Sequence, residues 1–464
     1  MAESLPLETL QHIFLYLPDN LTPCACVCRQ WQVAAENFNF ADLHINLADL
    51  EDFCQIVLSP NSTSRWGHVQ SLHFKVVLPE YGVTARGHYE NQDDCDSNNK
   101  VFTQAITSLF EILSSWPNYD RCEMELQVYA RSPSDWRAEP DWSTRRARQQ
   151  RGYAFPEEEL LDRRYQDSYL QLTGKVSLPD VNCIKSFQVS GCDSVRNIAP
   201  GAVSEMVAHL PRLQTLQANL CEKERRDTAM CTSLEIQMDF SIISWPRSLR
   251  HLSLSFMPNR VHGKECSLLS NRDPDSLYLA MHPMTQHLET VHLSEITIGP
   301  ELFWPADASN TPPFWPKLIE FSISCTHAAI NTASHFGGTP RLDEDSSPIS
   351  PDVAVEPLDD HDQQVTGFRR LLNKRLDELY LAAGRAAQHM PRLNSMIIDV
   401  GTFRVPTSLY LFRYDASSGI ASWKTLVQFC VSKEVQTAWD VAAKGHGHGQ
   451  ICTQIISTYS VSTP

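Results

Sequence analysis

The stretch Trp245-Pro246-Arg247-Ser248-Leu249-Arg250-His251-Leu252-Ser253-Leu254-Ser255 sets how most of this chain is read. Leu249, Leu252 and Leu254 follow one spacing: apolar, two residues, apolar, one residue, apolar. The spacing returns at Val69/Leu72/Phe74, Ile184/Phe187/Val189, Leu213/Leu216/Ala218, Leu288/Val291/Leu293, Leu318/Phe321/Ile323 and Leu393/Met396/Ile398. Glu125 to Ala130 supplies a further candidate strand through Leu126 and Val128. A large apolar residue followed by proline precedes several of these segments, at Leu210-Pro211, Trp245-Pro246, Trp315-Pro316 and Met390-Pro391. A helix cannot run through that proline, so the chain is released into an extended segment. Helical patterns from Ala202 to Leu210 and from Phe368 to Met390 end at such a stop.

In an extended segment the side chains beside the apolar positions face the other way. Here they are polar: His251, Ser253 and Ser255; Thr290, His292 and Ser294; Glu320, Ser322 and Ser324; with Ile397 the exception among the corresponding positions. One sheet face is therefore buried and one open to water. The repeated spacing is the core of a leucine-rich repeat, and helix, proline stop, strand is the unit of an α/β solenoid. The expectation is an α/β chain in which residues 46–400 form an irregular leucine-rich-repeat-like solenoid, with the nine residues just named on a face that binds a target. An antiparallel sheet covered on one side would alternate equally well. Insertions are expected at about 84–100, 132–151, 258–275 and 326–364, the last disordered because it is rich in Ser, Pro and Asp. After Val400 the pattern changes. Tyr410, Phe412 and Tyr414 alternate with Leu409, Leu411 and Arg413, and Lys433 to Ala443 reads as a helix, so 401–464 is expected to cap the last repeat.

Composition narrows the function. The chain has 464 residues, 20% of them charged, and a formal charge of -16, which argues against a grip on nucleic acid or an anionic membrane. No apolar run reaches the length of a membrane span, and the apolar run near the start lacks the marks of a signal peptide. The 14 cysteines are scattered through a chain too long to need stapling, which suggests a reducing compartment, cytoplasm or nucleus. Cys24, Cys26 and Cys28 lack the spacing of a zinc site. His446-Gly447-His448 reads as a flexible tail, and Arg145, Arg146, Arg148 and Arg151 as a solvated basic cluster. No nucleophile elbow, zinc-protease, phosphate-loop or dinucleotide motif occurs. No catalytic residue, metal or cofactor is expected.

At the N-terminus Leu7, Leu10, Ile13, Phe14 and Leu17 form an apolar stripe between Pro6 and Pro18, which predicts a helix of about three turns with Pro6 at its first position. A second helix, capped by Asp19 or Asn20 with Pro23 in its first turn, is predicted through Cys24, Val27, Cys28, Trp31 and Ala35. The run Leu5-Pro6-Leu7-Glu8, Ile13-Phe14, Leu17-Pro18, Leu21, Val27-Cys28-Arg29 and Trp31 resembles the F-box. Its middle is slightly tighter than the commonest form, and Phe40 stands where the motif usually closes on Trp. The resemblance spans Ser4 to His44 and sets a domain boundary of 1–45. It implies a small all-α module that docks a Skp-family adaptor and through it a cullin-RING ubiquitin ligase. The adaptor-binding residues it implies are Leu5, Pro6, Leu7, Glu8, Ile13, Phe14, Leu17, Leu21, Val27, Cys28 and Trp31. The remainder is similar to the degenerate leucine-rich-repeat portion of fungal F-box proteins, which implies a substrate-recognition subunit rather than an enzyme. An adaptor-bound scaffold that delivers no substrate fits the same residues, and a cryptic hydrolase or transferase is the third reading.

Overall fold

A computed structural model describes residues 5–17, 21–57, 65–116, 123–135, 161, 164–165, 168–174, 177–189, 196–222, 245–258, 281–294, 299–305, 312–326, 374–401, 410–425, 431–449 and 451–457. They fall in two units, Met1–Val261 and His262–Pro464. Beyond their first residues the expected insertions 258–275 and 326–364 lie outside the described residues, as do most of 132–151 with its arginine cluster, the stop at Pro18 and the caps Asp19 and Asn20.

The first unit opens with helices α1 (Leu7–Phe14), α2 (Thr22–Ala25) and α3 (Arg29–Asn39). Two predicted helices thus become three. α1 is shorter than expected, with Pro6 as its N-cap, and gives way to a turn at Leu15. The second predicted helix breaks in two because Cys28 is extended at φ -164°, ψ 170°. Strands follow at β1 (Asp42–Asn46), β2 (Ser71–Val77), β3 (Met124–Arg131), β4 (Tyr169–Leu170), β5 (Ile184–Val189), β6 (Asn197–Ile198), β7 (Thr215–Glu222) and β8 (His251–Pro258). The order β1-β2-β3-β5-β7-β8 is parallel throughout, and β4 pairs with β6 apart from it. Parallel pairing follows from the long crossovers, which carry α4 (Leu50–Val57), α5 (Gln92–Ser114) and the helix Pro200–Ala208. Every apolar position of the repeated spacing in this unit is buried, none above 4% exposed.

The predicted insertion at 84–100 is corrected. It holds a 3-10 turn, Val83–Gly87, and the first turns of the 23-residue α5. The polar run Asn91 to Lys100 is the start of a helix: Asn91 Oδ1 accepts from the Asp94 amide at 2.8 Å, and Asp93 and Asp94 sit where the helix dipole favours negative charge. The apolar face that buries Phe102, Ile106, Leu109, Phe110 and Leu113 comes later in the same helix.

In the second unit β9 (Thr290–Ser294), β10 (Glu320–Thr326) and β11 (Ser395–Gly401) are parallel. The chain then reverses. β12 (Tyr410–Asp415) and β13 (Ile420–Thr425) form an antiparallel hairpin on β11, and β14 (Cys452–Ser457) pairs parallel with β13. The turn 415–420 needs Gly419, whose φ of +64° favours a residue without Cβ, and the Asp415 carboxylate accepts from the Ser417 amide at 2.9 Å. Helices over 374–387 and Lys433–Gly445 cover this part of the sheet's core.

The proline stops work alike in both units. Leu210, Trp245, Trp315 and Met390 are buried, and after three of them a tight turn leads into the strand, with Leu213 N bonded to Leu210 O at 3.0 Å, Leu249 N to Pro246 O at 3.1 Å and Leu393 N to Met390 O at 3.0 Å. Each of the two buried indoles at these stops finds a hydroxyl: Trp245 Nε1 donates to Ser204 Oγ at 3.3 Å and Trp315 Nε1 to Thr285 Oγ1 at 3.1 Å.

Candidate docking and recognition surfaces

The N-terminal helices enclose a small core of Leu10, Phe14, Leu21, Ala34 and Ala35, with Leu5, Leu7, Cys24, Ala25, Trp31 and Phe38 packed against it. Phe14 meets the edges of Trp31 and Phe38 at 5.5 and 6.1 Å between ring centroids. The eleven residues implied for adaptor contact therefore divide. Phe14 and Leu21, 3% and 4% exposed, belong to the module's interior and offer no surface to a partner. Leu5, Leu7, Cys28 and Trp31 are half-buried, and Pro6, Glu8, Ile13, Leu17 and Val27 are exposed.

Of eleven large hydrophobic residues exposed among the described residues, six lie in this module: Ile13, Leu15, Tyr16, Leu17, Val27 and Val33. Large exposed apolar patches on folded proteins commonly serve as interaction sites. Leu15, Tyr16 and Val33 escape the sequence pattern, because a heptad-like stripe picks the buried side of a helix and the turn after α1 exposes what the stripe leaves out. The same stripe includes Phe14, which the fold places in the interior of the module.

A charge pair fixes the module to the segment just before β2. Arg65 Nη2 and Nε donate to Glu36 Oε1 at 2.7 and 3.1 Å, and the same guanidinium lies over the Phe40 ring, 5.4 Å from its centroid. Burial pushes the Glu36 carboxyl up, but the hydrogen bonds from Arg65 and Gln32 and the Arg65 charge outweigh it and hold the group below its ordinary value of 4.5. A carboxyl held low in the folded state adds stability that is complete above the unfolded value and is lost as pH falls through the folded one. Acidification from about pH 5 to about pH 3 should therefore weaken the hold on α3 by about 1 kcal/mol, both groups keeping some contact with water. Hydrogen exchange of α3 amides should rise over that interval in the wild type and much less in Glu36→Gln; equal pH dependence in the two would refute the link.

The open sheet face is polar in both units. On β8 His251, Ser253 and Ser255 are half-buried and paired in register with Thr215, Gln217 and Asn219 of β7. In the second unit Thr290, His292 and Ser294 of β9 lie opposite Glu320, Ser322 and Ser324 of β10, and these opposite Ser395, Ile397 and Asp399 of β11. The nine residues of the expected target face thus occupy two patches, one in each unit.

Of two further clusters, one has no counterpart in the sequence motifs and the other corrects one of them. Between α5 and the segments around 132–135, 161–170 and 196, Glu90, Arg164 and Arg196 are buried together with side chains 1–2% exposed. Asp135 accepts from the hydroxyls of Tyr81 and Tyr165 at 2.7 and 2.6 Å. Burial first, then the bond to Asp135, pushes the Tyr81 hydroxyl up to about 12. In the second unit the reading of His446-Gly447-His448 as a flexible tail is overturned. His446 Nε2–H donates to Met390 O at 3.0 Å and its Nδ1 is hydrogen-bonded with the Tyr414 hydroxyl at 2.8 Å, while His448 Nε2 donates to Ala416 O at 2.7 Å. No helix among the described residues is long and apolar enough to cross a membrane.

Two family models match the chain. One, described as F-box-like, covers residues 2–41, ending where α3 gives way to β1. The other, a family of unknown function (DUF6546), covers residues 369–462, the helix 374–387 through β14. Among curated proteins no match to the chain is found.

Proposed function

We propose that this chain is a substrate-recognition subunit of a Skp-cullin-F-box type ubiquitin ligase. The observation that carries the reading is the concentration of exposed apolar side chains on an F-box-like module whose own core is already filled by Phe14 and Leu21. F-box domains generally bind Skp-type adaptors, and short helices presenting Ile13, Leu17 and Val27 suit a groove of complementary shape. The parallel strands with buried apolar positions and an open polar face support a leucine-rich-repeat-like arrangement downstream, on which a target protein docks. The chain on this reading recruits and does not catalyse, and it works in the cytoplasm, the nucleus or both, as scattered cysteines in a long chain suit.

Purified Skp-family adaptor should co-elute with the full chain, and Ile13→Asp or Val27→Asp should weaken that binding by about ten-fold or more, as central apolar contacts do. Both sites face solvent, so neither change should unfold the module. Failure of the wild type to bind adaptor would sink the proposal, and full binding by both variants would move the contact elsewhere on the module.

A further inference from the structure

We propose that Asp42, His44 and His73 form a binding site for a divalent transition metal on the open face of the first unit, an inference independent of the docking reading. Asp42 and His44 are two apart on β1, so both side chains leave the same face, and the strand register sets His44 directly opposite His73 of β2. The two imidazoles stack in parallel, 4.3 Å between centroids and 5° between planes. Asp42 Oδ1 lies 3.1 Å from His73 Nε2 and 3.7 Å from His44 Nε2. One donor atom from each of the three residues lies within 4.8 Å of the others.

Donors about 2.1 Å from a shared ion are about 3.4 Å apart in a tetrahedron, which the two Asp42 distances already bracket, so the adjustment falls on the separation of the two imidazoles. The parallel rings cannot both aim a lone pair at one ion as they stand, but the His44 and Asp42 side chains are 65% and 60% exposed, which leaves room for His44 to turn out of the stack toward the donors of Asp42 and His73. The Ser71 hydroxyl, 3.0 Å from His73 Nε2, gives way to the metal by turning to water. The chemistry selects the ion. Two imidazoles and one carboxylate suit zinc, nickel, cobalt or copper rather than calcium or magnesium, which want oxygen donors. Three protein donors leave at least one position for water or for a donor from whatever covers the face. The ion would also staple β1 to β2 directly after the F-box-like module, which ends at residue 41.

The test uses the tag-free full chain, stripped with chelator, and titrated with Zn2+ by calorimetry. One equivalent should bind, and His44→Ala or His73→Ala should weaken that site by at least about 100-fold, since loss even of an outer-shell partner costs 10–100-fold. His12→Ala, a solvent-facing histidine of α1, should titrate as wild type. Wild-type affinity in the doubly substituted His44→Ala/His73→Ala chain would overturn the site. Cu2+ bound to the wild type provides a second readout whatever the variants' stability: its electron paramagnetic resonance should show two imidazole nitrogens, and fewer would overturn the proposal.

Discussion

Changing Glu90 to Gln is expected to destabilise the first unit by about 3–5 kcal/mol, the loss seen when one partner of a buried ion pair is removed and the other stays. Glu90 neutralises Arg196 through the contact of its Oε1 with Nη1, accepts from Asn98 Nδ2 at 2.8 Å and from the Ser168 hydroxyl, and stands 3.9 Å from Arg164 Nη2. Arg164 has a second carboxylate, Asp94 at 3.0 Å, and stacks on the Tyr81 ring at 4.0 Å. Arg196, 1% exposed, stacks on Tyr165 at 4.2 Å and pairs with Glu90. Glutamine keeps the shape and one acceptor but takes away the negative charge held against that buried guanidinium. Adding Arg196→Met should restore part of the loss, so that the double variant costs at least about 1 kcal/mol less than the two single changes together. Urea unfolding with hydrogen exchange on α5 and β3 would measure all three. Additive costs below about 1 kcal/mol each would mean that water reaches the cluster and screens it.

That cluster also shows where the sequence was legible and where it was not. The strands β2, β3, β5, β7, β8, β9, β10 and β11 could all be read beforehand, because a strand buried on one face repeats its apolar positions whatever lies between. Local chemistry of the opposite kind hid α5: its first two turns are dominated by Asn, Asp and Gln, residues that cap helices as readily as they form loops. Glu90, Arg164 and Arg196 sit in polar stretches that look solvated, and only the crossover path brings residues so distant in sequence together. β1 was missed because five residues, Asp42 to Asn46, carry just Leu43 and Ile45 as a signal, at the tail of the F-box resemblance. With β1 went the His44–His73 register, which no spacing along the chain encodes. In the docking module the apolar stripe correctly marked a helix, but a stripe reports what is buried. Leu15, Tyr16 and Val33 become visible as surface only once the core of Phe14, Leu21 and Ala34 is closed.

In the second unit the largest loss is expected from Trp439→Ala, about 3–5 kcal/mol for a fully buried indole. Trp439 is 0% exposed, packs against Phe412 and Tyr414 at 4.7 and 4.9 Å, and donates from Nε1 to Tyr380 O at 3.1 Å. It thereby joins the helix Lys433–Gly445 to the helix 374–387 and to β12, within the residues matched by the family of unknown function. Gly384 makes the joint sensitive in both directions. A Cβ there would stand 3.0 Å from Trp439 Nε1 and 3.1 Å from Ala438 Cβ, closer than packed atoms tolerate without a shift. An interior helical Gly→Ala change ordinarily gains about 1 kcal/mol. Here Gly384→Ala should lose stability, because the indole is held by rings on one side and by its hydrogen bond on the other and has nowhere to retreat. With Trp439 already changed to Ala the indole contacts are gone and only Ala438 Cβ stays close, with a cavity beside it into which it can yield by a few tenths of an ångström, so the same Gly384→Ala change should become stabilising. A reversal of sign between the two backgrounds, measured by thermal unfolding and by exchange of the 374–387 amides, is what close packing of this glycine on this indole requires. Gain in both backgrounds would show that the two helices separate easily and that the aromatic cluster does not hold them.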